Sequence, residues 1–274
     1  MVVIGAPSAS AGTGADESRF RGGDSLTAVG LTTNQKLVRF NVENPRFTTR
    51  NIGTVSGLQG DVRLIGIDYR VQNNLLYGVG NAGGIYTLNE SSAAATKVSQ
   101  LTIALSGTNF GVDFNPAADR LRVISDTGQN LRHDVNPAGV TTLDGGLTYP
   151  PATTPALGLT GSAYTNNDLD LNTSTTLYDI DTTLDQVAIQ SPANSGQLAP
   201  TGKLTVDAGA SAGFDIYSRL EGGTTVELFP YAVLQVGGIY RVYDVTLFSG
   251  RATDDGAFPR SQQVFDLAMP LNQL

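Results

Sequence analysis

Four aspartates carry the strongest chemical potential in the sequence: Asp68, Asp113, Asp215 and Asp266. Asp68, Asp113 and Asp215 each follow a glycine by two residues, in Leu64-Ile-Gly-Ile-Asp-Tyr69, Asn109-Phe-Gly-Val-Asp-Phe114 and Ser211-Ala-Gly-Phe-Asp-Ile216. Asp266 sits in the related segment Gln263-Val-Phe-Asp-Leu-Ala268, and Leu159-Thr-Gly-Ser-Ala-Tyr164 places Ala163 in the same slot. The slots 68, 113, 163, 215 and 266 are separated by 45, 50, 52 and 51 residues. Equivalent strands of a closed ring would bring these carboxylates to one level around a central axis. Converging like charges must protonate, pair with cations or bind a metal. An oxygen-only set suits Ca²⁺ or another hard cation, so Asp68, Asp113, Asp215 and Asp266 form a candidate metal set. A raised-pKa carboxyl beside an ionised one is also the pair used in glycoside hydrolysis. A third role is structural: acceptors for backbone groups of the next repeat, recurring because the unit recurs.

Asp126-Thr-Gly-Gln-Asn130, flanked by Arg120, Arg122 and Arg132, is a second polar group. Arg122 and Asn130 could offer donors to a carbohydrate or a carboxylate at one face of a ring. The same residues also read as a tight strand connection, with arginines paired to nearby aspartates. An aspartic-protease dyad would need a second matching Asp-Thr-Gly or Asp-Ser-Gly, which the chain lacks. His133 is the single histidine, and it alternates with Leu131 and Val135, as a packed strand residue does. With one histidine and no cysteine, the common zinc sites and thiol chemistry are excluded. Asn166, Asp168, Asp170 and Asn172 alternate along a polar run without the glycine and terminal glutamate of an EF-hand loop.

Strands must position these residues, because the chain carries 32 glycines and short apolar runs separated by polar turns. Each repeat continues into a second strand (74–79, 120–125, 175–180 and 225–229) and a third (84–88, 130–135, 186–190 and 238–245). A weaker fourth strand follows, as at 96–101 and 140–143. Four strands in a period near fifty residues is the pattern of a β-propeller blade. The N-terminal unit, read at 25–31, 37–42 and 49–55, lacks a first strand, and 263–268 is a spare one. The expected fold is therefore all-β: a five-bladed propeller in which the C-terminal strand closes the N-terminal blade. A six-bladed propeller and a β-sandwich are the alternatives. Residues 1–24 read as an N-terminal extension and 25–274 as one propeller domain.

The motifs also carry a resemblance. Leu64 to Arg70, Gly107 to Arg132, Ala163 to Asn167, Thr175 to Asp181 and Gly213 to Ile216 are similar to the segments of a bacterial family. That family is the domain of unknown function numbered four-three-nine-four. The resemblance spans roughly residues 25 to 250 and implies a propeller-like β fold in proteins that are often exported. It implies no catalytic residue.

A net charge of −8 repels phosphate backbones and excludes nucleic acid as a natural partner. No stretch has the apolar length of a membrane span. The run from Val2 to Ala6 is too short for an intact signal peptide and fits a trimmed remnant or a loose terminus. A low-charge, Thr/Asn/Gly-rich composition points to an exported protein, extracellular or periplasmic. The expected function is a non-catalytic binding or scaffold module for a glycan, a small ligand or a protein partner. The alternatives are a hydrolase or lyase acting through the tunnel carboxylates, and a structural subunit of a surface assembly.

Overall fold

A computed structural model describes residues 25–274, and the expected N-terminal extension lies outside the described residues. Strands β1 (Thr27–Thr32), β2 (Lys36–Asn41) and β3 (Arg50–Thr54) open blade one. A four-residue helix, Pro45–Thr48, sits between β2 and β3. Blade two is β4 (Leu64–Arg70), β5 (Leu75–Gly80), β6 (Gly84–Leu88) and β7 (Ala95–Gln100). Blade three is β8 (Phe110–Asn115), β9 (Arg120–Ser125), β10 (Asn130–His133) and β11 (Thr141–Leu143). Blade four is β12 (Leu159–Tyr164), β13 (Leu177–Asp181), β14 (Gln186–Gln190) and β15 (Leu198–Lys203). Blade five is β16 (Ala212–Glu221), β17 (Thr224–Val236), β18 (Ile239–Val245) and β19 (Ala252–Ala257). The last strand, β20 (Val264–Ala268), pairs antiparallel with β1 and completes blade one.

The result is five four-stranded antiparallel sheets arranged as a five-bladed propeller. The innermost strands touch in the order β20, β4, β8, β12, β16 and back to β20. Closure through β20 gives blade one the same four strands as the others and leaves only short edges facing the axis.

Alternation within each strand sends successive side chains to opposite blade faces. Hydrophobic clusters fill four of the five seams between blades. Phe40 and Val242 meet between blades five and one, Leu37 and Tyr86 between one and two, and Val79 and Leu121 between two and three. Ile180 and Phe214 meet between blades four and five. The seam between blades three and four differs, with a small apolar group around Ile124, Leu159 and Ala188. Turns use residues that tolerate a left-handed backbone, as at Asn74 (φ 54°), Asp119 (φ 51°) and Asp185 (φ 47°).

Blade five is longer than the period predicts. The expected strand at 225–229 is one part of β17, which pairs with β16 from Ala212↔Leu234 out to Glu221↔Thr224. The polar run after Tyr164 braces this extension. Asp168 Oδ2 accepts from Thr225 N and Oγ1 at 3.0 and 2.6 Å, and Asp170 Oδ2 accepts from Thr224 Oγ1 at 3.0 Å.

The recurring glycine of the inner strands has a steric cause. A Cβ at Gly66 would lie 2.5 Å from Val112 Cγ2 of the next blade, and one at Gly213 would lie 2.5 Å from Asp266 Cα. Gly111 and Gly161 face the next inner strand in the same way. A methyl at Gly213 meets backbone, which no rotamer change relieves. Gly213→Ala is expected to cost about 1–3 kcal/mol, the range for overpacking a tight core. The unfolding midpoint should fall by about 2–4 °C per kcal/mol. Gly146→Ala is the control, because an added Cβ there meets nothing nearer than 3.7 Å. Equal midpoints for the two variants would show that the inner strands do not need this close approach.

Candidate functional site

The ring brings the sequence-predicted aspartates to its axis on four of its five inner strands, with Ala163 on the fifth. Asp68, Asp113 and Asp215 offer carboxylate oxygens that all lie within 4.8 Å of one another. Asp266 stands outside that trio and is likewise buried. None of the four lines an open cleft: their exposures are 5%, 2%, 2% and 7%. A separation of about 5 Å is that of a retaining glycosidase pair, which also needs substrate access.

Each carboxylate instead grips the next inner strand. Asp266 Oδ2 accepts from Ile67 N at 2.7 Å, Asp68 Oδ2 from Phe114 N at 2.7 Å, and Asp113 Oδ1 from Tyr164 N at 3.2 Å. Asp215 Oδ2 accepts from Met269 N at 2.6 Å, just past β20, and its Oδ1 accepts from Ile216 N at 2.6 Å. Four of the five inner-strand steps are thus bridged by a side-chain acceptor and a backbone donor. The step from β12 to β16 is the exception: Ala163 carries no acceptor and packs in the apolar cluster with Phe214 and Ile216. A calcium ion takes six to eight oxygens, and the trio offers one each on carboxylates already engaged by N–H donors.

Burial pushes all four carboxyls up. Asp215 rises to about 7, while Asp68 and Asp113 are raised further in cause by neighbouring charge, Asp215 on Asp68 and then Asp68 and Asp215 on Asp113. Asp266 rises by burial, and the N–H donors at Ile67 and Leu267 oppose it. The proton on the trio is the alternative to a cation that packing like charges demands.

The second polar group builds a real cavity. About 80 Å³ of space is lined by Asn115, Ala118, Arg120, Arg122 and Arg132 of blade three, with Tyr164 and Asn194 of blade four. Arg122, on the buried face of β9, is 2% exposed. Its Nη1 donates to Asn130 Oδ1 and to Asp144 Oδ2, both at 2.7 Å, its Nη2 to Asn194 Oδ1 at 2.8 Å, and its Nε to Tyr164 Oη at 3.2 Å. Arg132 Nε shares Asp144 at 2.9 Å, and Arg120 Nη2 stands 3.3 Å from Asp134. The predicted arginine–aspartate pairing is present, yet neither Asp134 nor Asp144 lines the cavity. Asn130 supports from behind, donating from Nδ2 to Gly145 O at 2.9 Å and Ala193 O at 3.1 Å.

The remaining candidates are structural. Asp126 ties the turn between β9 and β10 to the segment entering β8 by accepting from Thr108 N and Asn109 N, each at 3.0 Å. His133 is fully buried between Ser99 Oγ at 2.8 Å and Thr141 Oγ1 at 3.0 Å. Burial lowers its pKa. Sequence reasoning missed Asp144 and Asn194, and the buried row Asp179, Asp181, Gln186 and Gln190 behind them. The signal was available: Asp179 and Asp181 share one face of Leu177–Asp181, and Gln186 and Gln190 share one face of Gln186–Gln190, in otherwise apolar strands.

The axial carboxyls make stability depend on pH. A folded pKa raised above the unfolded value means that the native state holds more protons, so stability is lost as pH rises through the folded pKa. His133 acts oppositely, with stability lost on acidification below its ordinary value near 6.5, and stays out of the way above about pH 6.5. The unfolding midpoint is expected to fall as pH rises above about 6.5, through the value of about 7 to which Asp215 is raised, and to level off once the carboxyls are ionised. Asp113→Asn keeps an oxygen for Tyr164 N and removes the charge, so it should shrink that fall. A wild-type midpoint that climbs over this window would contradict the assignment.

Relatives bear on the fold and family. A chain of the nidogen/laminin complex is 11% identical, with a TM-score of 0.50 over 91% of this chain and 100% of that one. A structural genomics protein of unknown function from Bacteroides thetaiotaomicron VPI-5482 is 14% identical, with a TM-score of 0.48 over 94% and 68% of the two chains. An auxiliary nutrient binding protein from Bacteroides ovatus ATCC 8483 is 15% identical, with a TM-score of 0.41 over 64% of this chain. The match spans 46% of that protein, about half its length. At 11% identity the likeness to the nidogen/laminin chain shows the fold alone. No curated protein matches the sequence. The model of one family matches residues 36–268, most of the chain, and agrees with the motif resemblance: the protein belongs to the family described as a domain of unknown function (DUF4394).

Proposed function

We propose that the protein is a non-catalytic binding module whose ligand presents a small anionic group, foremost a carboxylate as on an acidic sugar, to the arginine-lined cavity between blades three and four. One observation carries this reading: three arginines and no acidic side chain line the cavity, on a chain whose net charge is −8. One water needs about 10–15 Å³ of such space, so 80 Å³ is room for a small polar head such as a carboxylate. The guanidinium of Arg122 is held from four sides, which spares a ligand the entropy of ordering it. Four of the five Arg122 N–H donors are engaged within the protein, so a carboxylate would take the one left on Nη2 together with donors of Arg120 and Arg132 at the rim.

The axial aspartates enter this reading as the clamp of the ring, with Arg122 at the ligand site and Asn130 holding it from behind. A hydrolase working through the axial carboxylates is the weaker reading, because the groups are buried and occupied by backbone donors. A charge-poor, Thr/Asn/Gly-rich composition supports an exported setting for such a module.

The test is thermal unfolding with galacturonate and glucuronate, set against galactose and glucose. Ligand that binds only the native state raises the midpoint by mass action. The acidic sugars are expected to raise it and the neutral ones to leave it unchanged. Arg120→Gln and Arg132→Gln, at the partly exposed rim, should each weaken binding about tenfold, equivalent to about 1.4 kcal/mol. Equal shifts with neutral sugars, or affinities untouched by both substitutions, would overturn the proposal.

A further inference from the structure

Buried polar groups without partners gather on one face of blade four. Among the described residues, six buried side-chain atoms have no hydrogen-bond partner within the protein. Four of them belong to blade four: Thr160 Oγ1, Asp179 Oδ2, Gln186 Nε2 and Gln190 Oε1. Register places them together. Asp179 lies opposite Ser162, whose Oγ donates to Asp179 Oδ1 at 2.9 Å, and Asp181 lies opposite Gln186. Tyr178, Ile180 and Val187, on the alternate face, belong to the apolar cluster shared with blade five. The polar row therefore faces blade three, where Arg122 exerts its charge on Asp179.

An unpartnered buried polar atom costs about 1–3 kcal/mol, and a polar site with several such atoms is where proteins hold internal water. A seam lined by them also gains less from closing than one filled by apolar side chains. We propose that the seam between blades three and four is a hydrated joint, the seam at which this propeller opens most readily. The cavity straddles that joint, with Arg122 and Arg132 on one side and Tyr164 and Asn194 on the other. An anion seated there would hold the two blades together. The joint rests on the packing of the seam alone, while the clamping effect of a ligand rests on the binding reading above.

The ring contains its own control. At the outer rim, Thr148 N donates to Gly196 O and Leu198 N to Thr148 O, both at 2.9 Å, across this seam. Across the apolar seam between blades one and two, Ser56 N donates to Ala93 O at 3.3 Å and Ala95 N to Ser56 O at 2.8 Å, in the same parallel bridge arrangement. Bond length gives the polar seam no disadvantage, so any difference reports the packing beneath. Native-state hydrogen exchange resolves single amides by their opening free energy. After correction for intrinsic rates, Thr148 and Leu198 are expected to exchange at least about tenfold faster than Ser56 and Ala95, a difference of about 1.4 kcal/mol. Equal rates, or slower exchange at Thr148 and Leu198, would overturn the joint. Saturating galacturonate is expected to slow Thr148 and Leu198 and leave Ser56 and Ala95 alone. Fast exchange that galacturonate does not slow would uphold the joint and count against the binding reading.

Discussion

A carboxylate buried on the axis of a ring must be protonated or solvated by fixed dipoles, and here the dipoles are backbone N–H groups of the neighbouring blade. That constraint organises the molecule. Asp266, Asp68 and Asp113 each reach forward to the next inner strand, and Asp215 reaches to Met269 at the end of β20. For the reach to work, the inner strands must nearly touch, which a side chain at Gly66 or Gly213 would prevent. Glycine and aspartate two residues apart are therefore one device: the first permits contact and the second fastens it. The raised pKa values are the electrostatic consequence of placing these acceptors out of water.

The device was legible in the sequence because it repeats. A Gly-x-Asp recurring near every fifty residues revealed the blades, and Asp266 at the far end of the chain revealed how the ring closes. Its role was harder to read. Convergence of carboxylates looks the same in a sequence whether the partner is a cation, a substrate or a backbone amide. The choice depends on how closely the inner strands approach, which only the folded ring shows. The extension of β16 and β17 was obscured because its support comes from Asp168 and Asp170, which sit in a loop of a different blade. The arginine cavity was half visible: Arg120, Arg122 and Arg132 are close in sequence, but Tyr164 and Asn194 arrive from blade four.

Repetition also makes departures from it informative. One inner slot carries Ala163, so the strand β12 does not fasten forward and relies on apolar packing against blade five. On its opposite face blade four turns polar, and the seam with blade three exchanges a large apolar filling for Arg122, Asn130, Ser162 and Asp179, all buried. Such a seam surrenders hydrophobic stabilisation that the other four retain. In its place stands a fixed array of donors at the edge of a cavity. Stability is thus concentrated on the axis and in four seams, while the fifth holds the arginine-lined cavity.

The ring stands as one closed unit, with β20 fastening both of its ends. β20 pairs with β1, supplies Asp266 to blade two and leads to Met269, the donor to Asp215 of blade five. Deleting residues 263–274 removes all three connections and leaves the first four-stranded sheet short of its inner strand. Calorimetric unfolding of the truncated chain beside the intact one is the most direct measurement. The account predicts loss of the single cooperative transition, in place of a small downward shift. A truncated chain that melts cooperatively at the midpoint of the intact protein would contradict it.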